Sequence, residues 1–241
     1  MNVSELVKKR INSFPEGYVF AYDDLNIEVE SESVLKVALY RLVKSGKIKR
    51  LSKGKFYKPK QGIVGSLKPD EYEIVKDLLK DGNKLIGYIT GYSVFNSFKL
   101  TTQVPNIIQV GVNFDKKEIK RNIYTIKFVR QRNKITKNNI SLLQLLDCVR
   151  FIKIIPDTTI EDSIKRIKFL IQELSDSEKA YLTDLAVNYT PSVRSLTGAM
   201  LEQLGYTDLA NKLSKTLKVT TWYKFNIGID LLPNKQKWRI Q

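Results

Sequence analysis

Eight cationic side chains crowd residues 44–60, KSGKIKRLSKGKFYKPK: Lys44, Lys47, Lys49, Arg50, Lys53, Lys55, Lys58 and Lys60, with no acid among them. Lysine and arginine at this density suit one chemistry above others, the neutralisation of a phosphate backbone with release of its counterions. The apolar residues of the stretch flank Lys53-Gly54, which predicts a hairpin with strands near Ile48–Ser52 and Lys55–Lys58. Lys53 and Lys55 then stand at its tip, where they can grip phosphates beside a groove. A helical pattern runs directly into this hairpin, and a helix followed by a basic hairpin suits a winged DNA-binding module.

That helix is expected over Glu32–Lys44, with Ser31 as its N-cap and Gly46 ending it. At 100° per residue, Leu35, Ala38, Leu39 and Leu42 share one side and form its core face. Ser33, Lys36, Val37, Tyr40 and Lys44 share the other, a mixture of hydrogen-bonding, apolar and cationic groups fit for a major groove. The candidate DNA-binding residues are therefore Ser33, Lys36, Tyr40 and Lys44 on the helix and Arg50, Lys53 and Lys55 on the hairpin. The alternative is an ordinary solvated helix face. Arg41 sits at the edge of that face, free to pair with an acid, and Lys58 and Lys60 read as solvated charges.

A second basic stretch spans Asp115–Lys137, with nine lysines and arginines against Asp115 and Glu118. Lys116, Lys117, Lys120, Arg121, Lys127, Arg130 and Arg132 are candidates for a second nucleic-acid surface, for RNA or further DNA. The competing explanation is a charged strand edge that discourages edge pairing. The aromatics interleaved here, Tyr88, Tyr92, Phe95, Phe98, Phe114, Tyr124 and Phe128, are spaced for core packing better than for base stacking.

Charge supports a polyanionic partner. The chain carries 41 basic and 25 acidic side chains, a net +16. Residues 1–60 contribute 13 − 7 = +6, residues 61–140 contribute 14 − 7 = +7, and residues 141–241 contribute 14 − 11 = +3. The excess thus belongs to the first 140 residues. There is no histidine, which removes Ser-His-Asp and Cys-His catalysis and zinc-histidine sites. Asp23-Asp24 reads as a cap, Glu28, Glu30 and Glu32 as solvated charges, and Glu161-Asp162 as a helix first turn. A nuclease built on Asp115 and Glu118-x-Lys120 is disfavoured because its acids lie too close in sequence for separate strands. No catalytic residue, metal or cofactor is expected. Cys148 stands alone on the apolar side of a helix, expected to be inert core. No stretch is apolar enough for a signal peptide or membrane helix, so no membrane partner and a cytoplasmic location are expected.

The remaining elements are coarser. A first helix is expected from an N-cap at Ser4 through Ile11, then a strand at Tyr18–Tyr22 and a brief helix near Leu25. Gln61–Pro69 reads as a linker. Beyond it, a helix is predicted over Asp70–Leu79 and another from Thr90, with strands at Ile107–Val112 and Tyr124–Val129. Helices follow at Ser141–Lys153, Thr159–Leu174, Asp176–Tyr189, Pro191–Leu204 and Asp208–Leu217, before an aromatic tail at Trp222–Ile240. The fold class is α+β: an N-terminal winged helix-turn-helix at 1–62, then a larger mixed domain rich in helices at 68–241.

Several segments resemble a known family. Val34…Leu39-x-x-Leu42…Gly46-x-Ile48-x-Arg50-Leu51…Gly54-x-Phe56-Tyr57 resembles the winged helix-turn-helix of AbiE-type abortive-infection antitoxins, of the type IV toxin–antitoxin systems. Tyr88-Ile89-Thr90-Gly91-Tyr92-Ser93 and Leu100-Thr101-Thr102-Gln103-Val104-Pro105-Asn106 are similar to the start of that family's antitoxin domain. Leu232-Pro233-Asn234-Lys235…Trp238 looks like the terminus of one branch. Lys99 departs from the pattern, which has a glycine before the Leu-Thr pair. The resemblance implies a phage-defence protein with two roles. The N-terminal domain would bind inverted repeats in double-stranded operator DNA and repress its own operon. The second would neutralise a nucleotidyltransferase toxin without forming a stable complex. The alternative is a plain winged-helix regulator whose second domain senses a ligand or oligomerises.

Overall fold

The computed structural model describes residues 2–28, 31–63 and 65–241. The fold is α+β, as the sequence predicts. The chain divides into two compact units, 1–78 with 118–126, and 79–117 with 127–241. The first unit therefore reaches beyond residue 62.

In the first unit, α1 (Val3–Ser13) begins earlier than expected. Asn2, extended at φ −68° and ψ 140°, caps it by accepting the Ser4 N–H at 3.2 Å, so Ser4 is inside the helix. Strand β1 (Val19–Ala21) and a 3₁₀ turn at Asp23–Leu25 lead to α2, Glu32–Lys44. Ser31 caps α2 by accepting the Ser33 N–H at 3.2 Å. Gly46, at φ +74°, ends it by letting the Lys47 N–H reach back to the Leu42 carbonyl at 3.1 Å. Strands β2 (Lys49–Ser52) and β3 (Lys55–Tyr57) form the expected hairpin around Lys53-Gly54. The sheet order is β1-β3-β2, antiparallel, with a register irregularity between Arg50 and Ser52. Val7, Ile11, Phe20, Leu25, Leu35, Leu39, Ile48 and Phe56 close one apolar core beneath it.

The expected linker is instead a second hairpin, β4 (Lys60–Gly62) against β5 (Gly65–Leu67), with Val64 outside the described residues, as is Glu30. Backbone pairing overrides the glycine- and serine-rich composition here. Helix α3 (Glu71–Leu79) follows. Two ties explain why it groups with the first unit. Glu73 accepts the β1 N–H of Val19 at 2.8 Å, and Asp77 binds Arg121 of segment 118–126.

The second unit opens with a short hairpin, β6 (Lys80–Asp81) and β7 (Lys84–Leu85), then β8 (Gly87–Thr90). Sequence periodicity does not reveal β8. Its residues sit too close to α4 (Tyr92–Ser97) for either period to show. β9 (Ile107–Val112) pairs with β8, and β10 (Ile119–Arg121), which falls in the 118–126 segment of the first unit, pairs with β11 (Tyr124–Arg130); the strand order is β10-β11-β9-β8. β10 is likewise hidden, being three residues inside a basic run. Helices α5 (Ile140–Arg150), α6 (Ile160–Gln172), α7 (Asp176–Ala186), α8 (Pro191–Gln203) and α9 (Thr207–Ser214) follow, each within a few residues of expectation. α5 is the hub: Leu142, Leu143, Leu146, Cys148 and Val149 are buried with Ile164, Ile167, Leu182, Leu196 and Met200 around them. The tail is ordered coil. Asn234 and Trp238 both donate to the Glu202 carboxylate, at 2.7 and 2.8 Å, and the Trp238 ring covers Gly198. No helix among the described residues is long and apolar enough to cross a membrane.

Candidate nucleic-acid interface

Helix α2 divides as its spacing dictates. Leu35, Ala38, Leu39 and Leu42 are buried, while Ser33, Lys36, Val37, Tyr40 and Lys44 are all exposed. Tyr40 is 66% exposed and Val37 50%, an unusual outlay of apolar surface on a helix that already has a core face. Val34 adds to it, with Arg41 alongside, also exposed. Such a strip offers a hydroxyl, an ammonium and apolar groups at one helix spacing, the set that reads base edges and thymine methyls.

The cations around it differ in how far they are committed. Lys36 donates to Glu32 at 2.6 Å, one helical turn back, and this hydrogen bond lowers the Glu32 pKa and raises that of Lys36. Both groups are open to water, so the pair is easily exchanged. Lys55 lies 3.1 Å from Asp77, and Lys58 is spent on the Asn12 and Phe14 carbonyls at 3.1 and 3.0 Å. Lys58 thus ties the hairpin to the end of α1 and is not the loose charge expected. Arg50 is exposed and touches only the Ser52 carbonyl, at 3.3 Å through Nε. Lys44, Lys47, Lys49 and Lys53 are exposed and form no ion pair among the described residues.

In the second basic stretch, Lys116, Lys117, Lys120, Lys127, Arg130 and Arg132 are exposed. Arg121 is not. It is 5% exposed, donates to Asp77 through both terminal nitrogens at 2.6 and 2.7 Å, and also donates to the Ile74 carbonyl. Its neighbours on β10 alternate, so the strand turns Ile119 and Arg121 inward and Lys120 outward. Arg121 is a structural ion pair and leaves the set of surface candidates. Burial raises the Asp77 carboxyl, but the Arg121 and Lys55 charges and hydrogen bonds outweigh it and hold the pKa below its ordinary value. Lys116 lies over the Phe128 ring at 5.1 Å, and Arg130 is 3.7 Å from Asp115.

Sequence reasoning misses a buried polar knot. Asp147, fully buried in α5, accepts from Tyr88 and Thr90, both at 2.7 Å, and from Tyr189 at 3.0 Å. Gln131 donates to both tyrosine oxygens, at 2.9 and 2.8 Å. Burial pushes Asp147 above its ordinary pKa, and burial beside Asp147 pushes both tyrosines up. The signal is an aspartate inside the apolar stretch Leu142–Ile155, which by spacing alone reads only as a polar interruption. Cys148 beside it is buried, and burial raises its thiol well above the ordinary value, leaving it inert. No cluster of three metal-ligating side chains exists among the described residues.

Residues 6–179 match the profile of a family of unknown function, DUF6088. No curated protein matches. Among solved structures, the RV2827C protein from Mycobacterium tuberculosis is similar, with a TM-score of 0.64 at 15% identity over 99% of this chain and 90% of that chain. That likeness is one of fold.

Proposed function

The chain belongs to the DUF6088 family, and we propose that it is a non-enzymatic, cytoplasmic DNA-binding autorepressor and antitoxin of a type IV toxin–antitoxin system. One observation carries the DNA-binding half: the exposed strip Ser33, Lys36, Val37, Tyr40 and Lys44 on α2, followed at once by a hairpin presenting Arg50 and Lys53. In this proposal the first unit is a winged helix-turn-helix. α2 enters the major groove of inverted repeats, and the hairpin holds the flanking phosphates. The antitoxin half rests on the resemblance of the segments at 88–93, 100–106 and 232–238 to AbiE-type antitoxins. It assigns the chain to phage defence by neutralising a nucleotidyltransferase toxin without a stable complex.

The test of the DNA half is operator binding by the Lys36→Ala/Tyr40→Ala double variant. Loss of discrimination between operator and shuffled DNA is expected, and unchanged affinity and specificity would refute the helix assignment. Co-expression with the product of the neighbouring reading frame tests the other half, with that product a growth-arresting nucleotidyltransferase and rescue of growth expected. Absence of rescue leaves the second reading, a regulator whose second unit senses a small ligand, for which the arginine-lined cleft in that unit speaks.

A further inference from the structure

At the end of β11 the chain alternates: Arg130 and Arg132 face solvent, while Gln131 and Asn133 turn into the buried polar knot. The two outward arginines, with Arg150 at the C-terminal end of α5, line a cleft of about 120 Å³. Gln131 and Tyr189 also line it, both buried and both held by the Asp147 knot, so the arginines stand over a rigid base. Thr190, the N-cap of α8, lines it too. Its side chain makes no capping bond, and Pro191 occupies the first helical position. The Arg194 N–H bonds the Thr190 carbonyl at 3.1 Å, so Thr190 sits at the positive end of the dipole of a 13-residue helix.

From this we infer that the cleft binds a phosphate group. Three guanidiniums converge with no carboxylate among the lining residues, and a guanidinium fork matches two phosphate oxygens at once. Arg150 is oriented by donating through Nη1 to the Arg130 carbonyl at 3.0 Å, which leaves its other donors for the ligand. Arg130 has a rival partner in Asp115 at 3.7 Å, but that carboxylate is 91% exposed and the pair is readily displaced. Size sets the class of ligand. The cleft exceeds the ~30 Å³ share of one water and falls well short of the ~300–1,000 Å³ of a pocket that engulfs a whole organic ligand. It accepts the phosphate, as free phosphate or as the phosphate of a nucleoside monophosphate whose base stays outside. Because the cleft lies wholly in residues 130–190, the inference is independent of whether the first unit binds DNA.

Titration calorimetry on the full chain tests it, with inorganic phosphate, adenosine 5′-monophosphate and adenosine at constant ionic strength held by chloride. Saturable one-to-one binding of phosphate and the nucleotide, and none of adenosine, is expected. The Arg132→Gln variant, which alters an exposed side chain outside the core, should weaken both at least tenfold. The Lys215→Gln/Lys218→Gln variant, at two exposed lysines outside the cleft lining, should bind as the unaltered chain does. Tighter binding of the nucleotide identifies a nucleotide as the ligand, and equal binding identifies free phosphate. No heat beyond the chloride blank, or equal affinity in Arg130→Gln/Arg132→Gln, would overturn the inference.

Discussion

Replacing Lys44, Arg50 and Lys53 together by glutamine removes three exposed cations that sit on α2 and its hairpin without an ion pair among the described residues. If each neutralises one phosphate, the slope of log affinity against log salt falls by about 0.9 per contact, or about 2.7 in all. At 0.1 M salt the same term weakens binding by about 500-fold. Fluorescence anisotropy of a labelled duplex from upstream of the reading frame, between about 50 and 200 mM salt, measures both. Lys55→Gln is the contrast. That lysine already pairs with Asp77 at 3.1 Å, so its loss should change the slope by less than one contact's worth. An unchanged slope in the triple variant would refute the placing of phosphates along this hairpin.

Arg121→Ala should cost about 2–3 kcal/mol in denaturant unfolding, a buried-pair loss discounted because Asp77 is partly solvated. Asp77 is depressed in the fold, so its stabilisation exists above the ordinary carboxylate pKa and is lost as pH falls through the folded value. Arg121→Ala should therefore flatten the acid limb of the stability curve. Asp147 is shifted the other way, so its contribution is full below the ordinary carboxylate pKa and is lost as pH rises through the raised one. The advantage of the unaltered chain over Asp147→Asn should shrink from about pH 4 upward, and a constant difference in melts across pH would contradict this. Gly198→Ala places a Cβ 2.2 Å from the Trp238 ring, and overpacking of about 1–3 kcal/mol with red-shifted Trp238 emission in a Trp222→Phe background is expected. Lys99→Gly should stabilise by about 0.5–1 kcal/mol in the same unfolding assay, and Lys99→Ala should not.

Lys99 is left-handed at φ +59°, which the lysine itself does not announce. The Leu100 N–H reaches the Phe95 carbonyl and Lys99 the Asn96 carbonyl, a helix end that glycine serves without strain. Long amphipathic elements are legible. Ser31, the Leu35–Leu42 spacing and Gly46 define α2 to the residue, since each acts within one turn of its own position. What depends on distant partners is hidden. The β4–β5 hairpin resembles a linker because its residues have turn composition and only pairing shows otherwise. Arg121 resembles its basic neighbours because Asp77 is 44 residues away. Asp147 resembles an interruption because Tyr88, Gln131 and Tyr189 come from three other places in the chain.

The strip on α2 is proposed to read DNA. The most direct measurement is the affinity of the unaltered chain for the duplex upstream of its own reading frame against a shuffled duplex, at one fixed salt concentration. A ratio of about 10³ or more is expected, the range of specific over non-specific binding, with its collapse in Tyr40→Ala/Lys36→Ala. Equal affinity for the two duplexes would contradict it.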